Sequence, residues 1–120
     1  MTDREAIERL LDDAASAAGR GDWDAVGSAF ADDFRSQSER QDKAAFLAGA
    51  RATWRPFEGA TLRVDLREVS VVGDVAAAQV RVTSSAFPGR PVDARIECTR
   101  APDGWRISRL VEHALGSLAR

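Results

Sequence analysis

The sequence is poor in the residues from which most catalytic and metal sites are built. Its 120 residues include one cysteine, one histidine and no tyrosine. The lone Cys98 excludes an intramolecular disulfide and a cysteine-based metal site, and it is expected to be a small buried core residue. No glycine-rich phosphate loop, metal-ligand cluster or Ser-His-Asp order is found. We therefore expect no metal and no cofactor.

Long apolar runs and an excess of basic charge are also missing. No segment approaches the roughly 20 apolar residues that span a bilayer. The charged start of the chain, residues 1–5, is unlike a signal peptide. Seventeen basic and nineteen acidic residues give a net charge of −2, which argues against a nucleic-acid-binding domain. These features predict a cytoplasmic protein with neither a membrane nor a nucleic acid as partner.

The chain has the composition of one globular domain. Hydrophobic residues make up 44% and charged residues 30%, which is ordinary for a soluble fold. A chain of this length leaves room for a single domain, residues 1–120. It buries roughly two-thirds of its unfolded surface, enough for one hydrophobic core.

The first part of the chain predicts two helices. Thr2 and Glu5 form a capping box at the start of a stripe of apolar residues with helical spacing. Asp22 is predicted to cap a second helix. That helix is expected to carry Phe30 on its apolar face and to end at the acidic pair 32–33.

A third helix is predicted from Asp42 to Trp54. Pro56 ends it, because the residue before a proline is pushed out of the α region. The polar segment 34–40 before this helix is predicted to be a short strand or a loop. The side chains of the third helix that face the core are expected to be Phe46, Leu47, Ala50 and Trp54.

From residue 60 the hydrophobic period changes to two. Four alternating segments are separated by turn signals at 73–74, 88–89 and 102–104, which predicts an antiparallel meander over residues 62–113. Helices are expected to cover its apolar face. Within the first strand, the apolar residues after Leu66 indicate a β-bulge that turns Glu68 away from the core. Helices followed by strands predict an α+β fold.

Three local motifs resemble the nuclear transport factor 2-like (NTF2-like) superfamily, and within it the SnoaL-like domains. Residues 21–25 (Gly-Asp-Trp-Asp-Ala), followed by 30–34 (Phe-Ala-Asp-Asp-Phe), are similar to that family's second helix and the acidic step after it. Residues 41–47 look like the start of its third helix, and 103–107 like the turn into its last strand. The resemblance covers nearly the whole chain. It implies a cone-shaped fold in which three N-terminal helices pack on a curved antiparallel sheet.

A pocket inside the cone is the main functional implication of this resemblance. Phe34, Trp54 and Phe57 are candidates for its aromatic lining, and plain core packing is the alternative for each. The superfamily includes isomerases, dehydratases, cyclases, epoxide hydrolases and binding or dimerisation modules, so the fold alone does not choose a function.

Arg109 and His113 are the remaining candidates for a ligand site. Both share strand parity with Ile107, so both are predicted to point into the cone. A buried arginine needs a partner, which would be an internal carboxylate, such as Glu68 or one of the pair 32–33, or an anionic ligand. His113 could then act as a base near neutral pH. The alternative is that the strand frays or bulges near Arg109 and both side chains reach solvent.

Three functions remain open at this stage. The first is binding of a small, apolar or weakly anionic molecule in the cone. The second is an acid–base enzyme of the isomerase, dehydratase or cyclase type, which needs a carboxylate or histidine inside. The third is a non-catalytic interaction module with a filled core.

The polar outer face of the sheet is expected to form a homodimer. Domains that resemble this one often pair through that face, and a two-fold axis would bring each arginine near an acid of its partner. Val75 and Ala77 add apolar area to it. Its polar residues are expected to be Gln79, Arg81, Thr83, Asp93, Arg95, Glu97, Thr99, Arg106 and Ser108.

Overall fold

The fold consists of helices packed on one face of a curved six-stranded sheet. A computed structural model describes residues 2–36 and 40–113, with side chains to residue 111. None of the described helices is long and apolar enough to cross a membrane. The elements are α1 (Asp3–Gly19), α2 (Trp23–Ser28), β1 (Phe30–Ser36), β2 (Gln41–Asp42), α3 (Lys43–Trp54), a short 3-10 helix (Arg55–Phe57), β3 (Leu62–Val72), β4 (Val75–Ser84), β5 (Val92–Ala101) and β6 (Gly104–His113).

Helix α1 begins and packs as the sequence predicts. The Thr2 side chain accepts a hydrogen bond from the Glu5 backbone N–H, and the Glu5 side chain accepts one from the Thr2 backbone. Its apolar stripe, including Ile7 and Leu11, is buried against the sheet. There it meets the small side chains of Ala76 and Ala78 on β4. One half of the cone is therefore solidly filled.

The second helix is shorter than predicted. It begins at its cap Asp22, whose side chain accepts from the Ala25 N–H, but it ends at Ser28. Phe30 then starts β1 instead of continuing the helix. The cause is tertiary, because the backbone of Ile107 on β6 donates to the Ala29 carbonyl and the two strands then pair in parallel.

The sheet is mixed, with strand order β2-β1-β6-β5-β4-β3. Strands β3 to β6 form the predicted antiparallel meander. The parallel pair of β1 and β6 is an addition that the sequence did not predict, and it brings the segment 30–36 into the sheet. The predicted α+β cone with three N-terminal helices is thus confirmed, with one parallel pair in its sheet.

Bulges in β3 and β6 decide which side chains enter the cone. In β3 the pairing passes from Leu66 opposite Val80 to Glu68 opposite Gln79, so Arg67 is an extra residue. The predicted bulge is confirmed, and Glu68 lies exposed on the outer face. In β6 the pairing passes from Ile107 opposite Cys98 to Arg109 opposite Glu97, so Ser108 is extra. A second shift follows in β6, from Leu110 opposite Ile96 to Glu112 opposite Arg95, with Val111 as the extra residue. Each β-bulge reverses the facing of the residues that follow it, up to the next bulge.

The start of α1 is clamped to the sheet by Arg100. Its guanidinium makes two hydrogen bonds to the Asp3 carboxylate, at 3.0 and 3.2 Å. It also lies over the Trp105 ring, 4.5 Å from the centroid. The hydrogen bond from Arg100 holds the pKa of Asp3 below its ordinary value of 3.8. This cluster joins α1 to the end of the meander.

The clamp predicts a stability difference that depends on pH. Because the pKa of Asp3 is lowered in the folded state, its contribution is present above the unfolded value and is lost as the pH falls through the folded one. Asp3→Asn should therefore lower the melting temperature at pH 7, and the difference from wild type should begin to shrink near about pH 4 and vanish only once the pH is below the lowered folded-state pKa. Thermal unfolding across this range measures it. Asp13→Asn, an exposed substitution in the same helix, should not show the effect, and a pH-independent loss in Asp3→Asn would contradict the account.

Candidate functional site

A cavity of about 520 Å³ lies in the half of the cone that α3 covers. Its floor is the inner face of the sheet, and its roof is the apolar stripe of α3. A volume of this size is typical of small-molecule sites. The side chains that define it include Phe46 and Ala50 on α3 and Val80, Ile96 and Leu110 on the strands.

The described lining of this cavity has no charged side chain. Its polar side chains that are not aromatic are Gln41 and Thr53, and the rest of its surface is aliphatic or aromatic. An ionised group placed there without a partner would lose its hydration and gain no compensating charge. The described part of the cavity is therefore suited to an uncharged molecule.

Aromatic rings close one end of the cavity. Phe30, Phe34 and Phe46 form a cluster in which Phe34 lies 5.0 Å from each of the other two ring centroids. Phe34 is fully buried and lines the cavity, as predicted from the sequence. It reaches this position because β1 pairs in parallel with β6 in the sheet.

Trp54 is the last residue of α3, the helix that covers the cavity. Its indole N–H donates to the Ala18 carbonyl at 3.0 Å, which fixes the end of α3 to the last turn of α1. The ring lines the cavity, as the sequence predicted. The Ala18 carbonyl also accepts from the Gly21 backbone N–H at 3.1 Å, so the indole bond is an additional one that ties α3 to α1.

Phe57 does not line this cavity. It lies in the 3-10 helix after α3, with ring centroids 6.2 Å from Trp54 and 4.8 Å from Phe87. Its ring packs against Trp54 and against Phe87, which lies in the loop between β4 and β5. Of the two expectations for Phe57, the structure matches packing against other side chains, because α3 ends at Trp54 and the Phe57 ring contacts Trp54 and Phe87.

Arg109 points away from the cone, so the expected inward orientation is wrong. It lies on the outer face opposite Glu97, with its Nε 3.7 Å from a Glu97 carboxylate oxygen, and its side chain is about half exposed. The extra residue Ser108 causes this, and its hydroxyl donates to the Glu97 carbonyl at 3.2 Å. Leu110 takes the inward place instead and lines the cavity.

The proposed partners of Arg109 also lie outside the cone. Asp32 is fully exposed and sits 3.4 Å from the Lys43 ammonium, and Asp33 is exposed as well. The backbone of His113 pairs with Ala94 at the end of β6, while its side chain lies outside the described part of the structure. No carboxylate of residues 2–36 or 40–111 lines the cavity.

Cys98 is buried under α1, away from any polar neighbour that would activate it. Burial raises the pKa of its thiol to about 12, so it is a protonated core residue at neutral pH, as predicted. Within the described ranges, no three His, Cys, Asp or Glu side chains are close enough to hold a metal ion.

Solved structures with the same fold are numerous. An NTF2-like protein with a cystatin-like fold from Novosphingobium aromaticivorans has a TM-score of 0.74 at 24% identity, over 98% of this chain and 89% of its own. An NTF2-like protein of unknown function from Shewanella oneidensis has a TM-score of 0.75 at 17% identity, over 90% and 96% of the two chains. A domain of unknown function from Nostoc punctiforme has a TM-score of 0.69 at 20% identity, covering 91% and 75%.

These likenesses establish the NTF2-like fold, because their identities are too low to show more. No curated protein matches the chain. The family model described as a SnoaL-like domain matches residues 7–109, which include most of α1, all of α2 and α3, strands β1 to β5 and the first part of β6. The chain therefore belongs to the SnoaL-like domain family.

Proposed function

We propose that this SnoaL-like domain binds a small, uncharged and largely apolar molecule in the cavity beneath α3. The observation that carries the proposal is the cavity itself, about 520 Å³ of space with an apolar described lining. A protein interior is normally packed with few voids larger than a water molecule. The described residues leave space of this size beneath α3, and a small apolar molecule would fill it.

The proposal of an uncharged ligand rests on the absence of charged side chains in the described lining of the cavity. The sequence allowed a weakly anionic ligand because Arg109 was expected inside, but that side chain pairs with Glu97 on the outer face. The described lining offers an anion only neutral groups, the side chains of Gln41 and Thr53 and the buried indole N–H of Trp23, which has no hydrogen-bond partner among the described residues. These can orient a hydroxyl or carbonyl group without compensating a full charge.

Two other functions receive less support. An acid–base enzyme needs a titratable group at the cavity, and the described lining supplies none. An interaction module with a filled core does not need an internal space of this volume. Binding without catalysis by the described residues is therefore the function that the geometry favours.

A neutral fluorescent probe tests the proposal. N-phenyl-1-naphthylamine should bind, and its sulfonated analogue, which has the same ring system and one negative charge, should bind much more weakly. Ala50→Trp fills the cavity from α3 and should weaken binding of the neutral probe by at least about tenfold. Ala52→Trp adds the same ring to the exposed side of that helix and should leave the affinity unchanged.

Fluorescence titration of the three proteins gives the affinities. Equal affinity of wild type and Ala50→Trp for the neutral probe would place it elsewhere on the protein and contradict the proposal. Tighter binding of the sulfonated probe would contradict the uncharged ligand.

Removal of the Arg109 side chain should not affect this binding. Because the guanidinium lies on the outer face beside Glu97, Arg109→Ala should bind N-phenyl-1-naphthylamine with wild-type affinity. An exposed ion pair contributes only about 0–1 kcal/mol, so the melting temperature should change little. Titration and thermal unfolding of the variant check both expectations. A large loss of affinity would indicate that Arg109 points into the cavity and would contradict the account.

We further propose that the outer sheet face forms a homodimer. At its β3–β4 end, Val72 and Val75 are 77% and 48% exposed and lie opposite each other on neighbouring strands. The Arg81–Asp93 ion pair, with contacts of 2.8 and 3.3 Å, lies further along the same face. Exposed apolar patches rimmed by polar groups are typical of interfaces.

Sedimentation velocity tests this pairing. The wild type should sediment as a dimer of 13.0 kDa chains. Val75→Glu puts a charge into the apolar patch and should shift the population to monomer, since like charges would meet near the two-fold axis. Ala48→Glu on the exposed side of α3 should remain a dimer. A monomeric wild type, or a dimeric Val75→Glu, would contradict the assignment.

A further inference from the structure

The cavity beneath α3 opens to solvent along one side of this helix. Gly49 and Thr53 line the cavity, and both are exposed. On the sheet the lining extends to Val82 and Val92, which face each other in the last pair of β4 and β5 before the loop that joins the two strands. This β4–β5 loop, residues 85–91, therefore begins and ends at the rim of the cavity.

Hydrogen bonds hold the β4–β5 loop at its start. The Ser85 backbone N–H donates to the Thr61 carbonyl at 3.1 Å, and the Thr61 backbone N–H donates to the Ser85 hydroxyl at 2.9 Å. Further along, the Phe87 N–H donates to the Ser84 carbonyl and the Arg90 N–H to the Phe87 carbonyl, so these bonds stay within the loop and the end of β4. Among the described residues, no hydrogen bond joins the loop to α3 or to the 3-10 helix.

Two phenylalanine rings make the connection that hydrogen bonds do not make. The rings of Phe57 and Phe87 meet edge to face, with centroids 4.8 Å apart and an angle of 64° between their planes. Phe57 also packs against Trp54, which lines the cavity. Phe87 lies outside the described lining, and it is 44% exposed although it is aromatic. Through these rings the loop is attached to the end of the helix that covers the cavity.

An attachment of this kind is easily broken. An edge-to-face ring pair is a modest interaction, and the exposed part of Phe87 gains nothing from burial. Segments with few buried contacts open at a small cost in free energy while the rest of the fold stays intact. Loss of the ring contact would leave the loop anchored at Ser85 and free beside Trp54. Loops that open and close in this way set the rates of binding and release in many proteins.

We propose that the β4–β5 loop is a gate at the rim of the cavity and that the Phe57–Phe87 ring contact keeps it closed. Separation of the rings lets the loop move away from the end of α3 and widens the opening beside Trp54. Because Phe87 does not line the cavity, the gate controls how fast a molecule enters and leaves, and the lining controls how tightly it binds. This inference rests on the proposed binding function and adds the route and the control of exchange.

Stopped-flow fluorescence with N-phenyl-1-naphthylamine tests the gate. Phe87→Ala removes the ring contact and should raise the association and dissociation rate constants of the probe together, by about fivefold. The Kd should stay unchanged, because both rate constants rise by the same factor. Arg90→Ala removes an exposed side chain from the same loop without touching the rings, and both rate constants should keep their wild-type values.

A second substitution shows whether the ring pair acts as a unit. In the Phe57→Ala background the partner of Phe87 is already missing, so Phe87→Ala should change the rate constants no further. An equal additional increase in that background would show that Phe87 acts without Phe57 and would overturn the assignment. A merely structural role of Phe87 would lower the melting temperature and leave both rate constants as they are.

The outcomes distinguish the gate from the function on which it rests. If wild type binds the probe and Phe87→Ala exchanges it at the wild-type rates, the gate is overturned and the binding function stands. If Phe87→Ala raises the dissociation rate constant alone, Phe87 is a contact of the bound molecule and the gate is again overturned. If wild type binds no neutral probe, the proposed function fails and the gate fails with it.

Discussion

The cost of burying an unpaired charge in an apolar interior organises this fold. Strands β4 and β5 avoid this cost by alternation: their apolar residues point inward and the Arg81–Asp93 pair points outward. Strands β3 and β6 cannot do so throughout, and each uses an extra residue to turn a charged side chain out. Glu68 and Arg109 both leave the cone in this way, and Val69 and Leu110 take the inward positions. The bulges at Arg67 and Ser108 thus keep two charged side chains out of the described cavity lining.

The two bulges also show how far the sequence predicts the structure. In both strands two polar residues stand between apolar ones spaced three apart, Leu66 and Val69 in β3 and Ile107 and Leu110 in β6. In β3 this spacing was interpreted as a bulge, and Glu68 was placed correctly. In β6 alternation predicts Arg109 inside the cone, with a bulge near Arg109 as the alternative, and the structure follows the alternative. The signal for the correct orientation was present in the sequence.

Other features depend on contacts that local patterns do not contain. The early end of α2 and the start of β1 at Phe30 follow from parallel pairing with β6, which lies more than 70 residues along the chain. The helical spacing of α3 predicted its apolar stripe, including Phe46 and Trp54, but not that the middle of this stripe faces open space. The buried cluster around α1 and the cavity beneath α3 share inner-face residues such as Val80, Ile96 and Ile107. A stripe of apolar residues has the same sequence signature in both cases.

The central claim is that the inner face of the sheet serves both as core and as binding surface. Methyl NMR spectra of the protein titrated with N-phenyl-1-naphthylamine test it most directly. The account predicts that methyl signals of Val80, Ile96 and Leu110, which line the cavity, shift with the probe. The exposed methyl groups of Val72 and Val75 on the outer face should keep their positions. Shifts confined to the outer-face valines, with unchanged signals from the cavity, would contradict the claim.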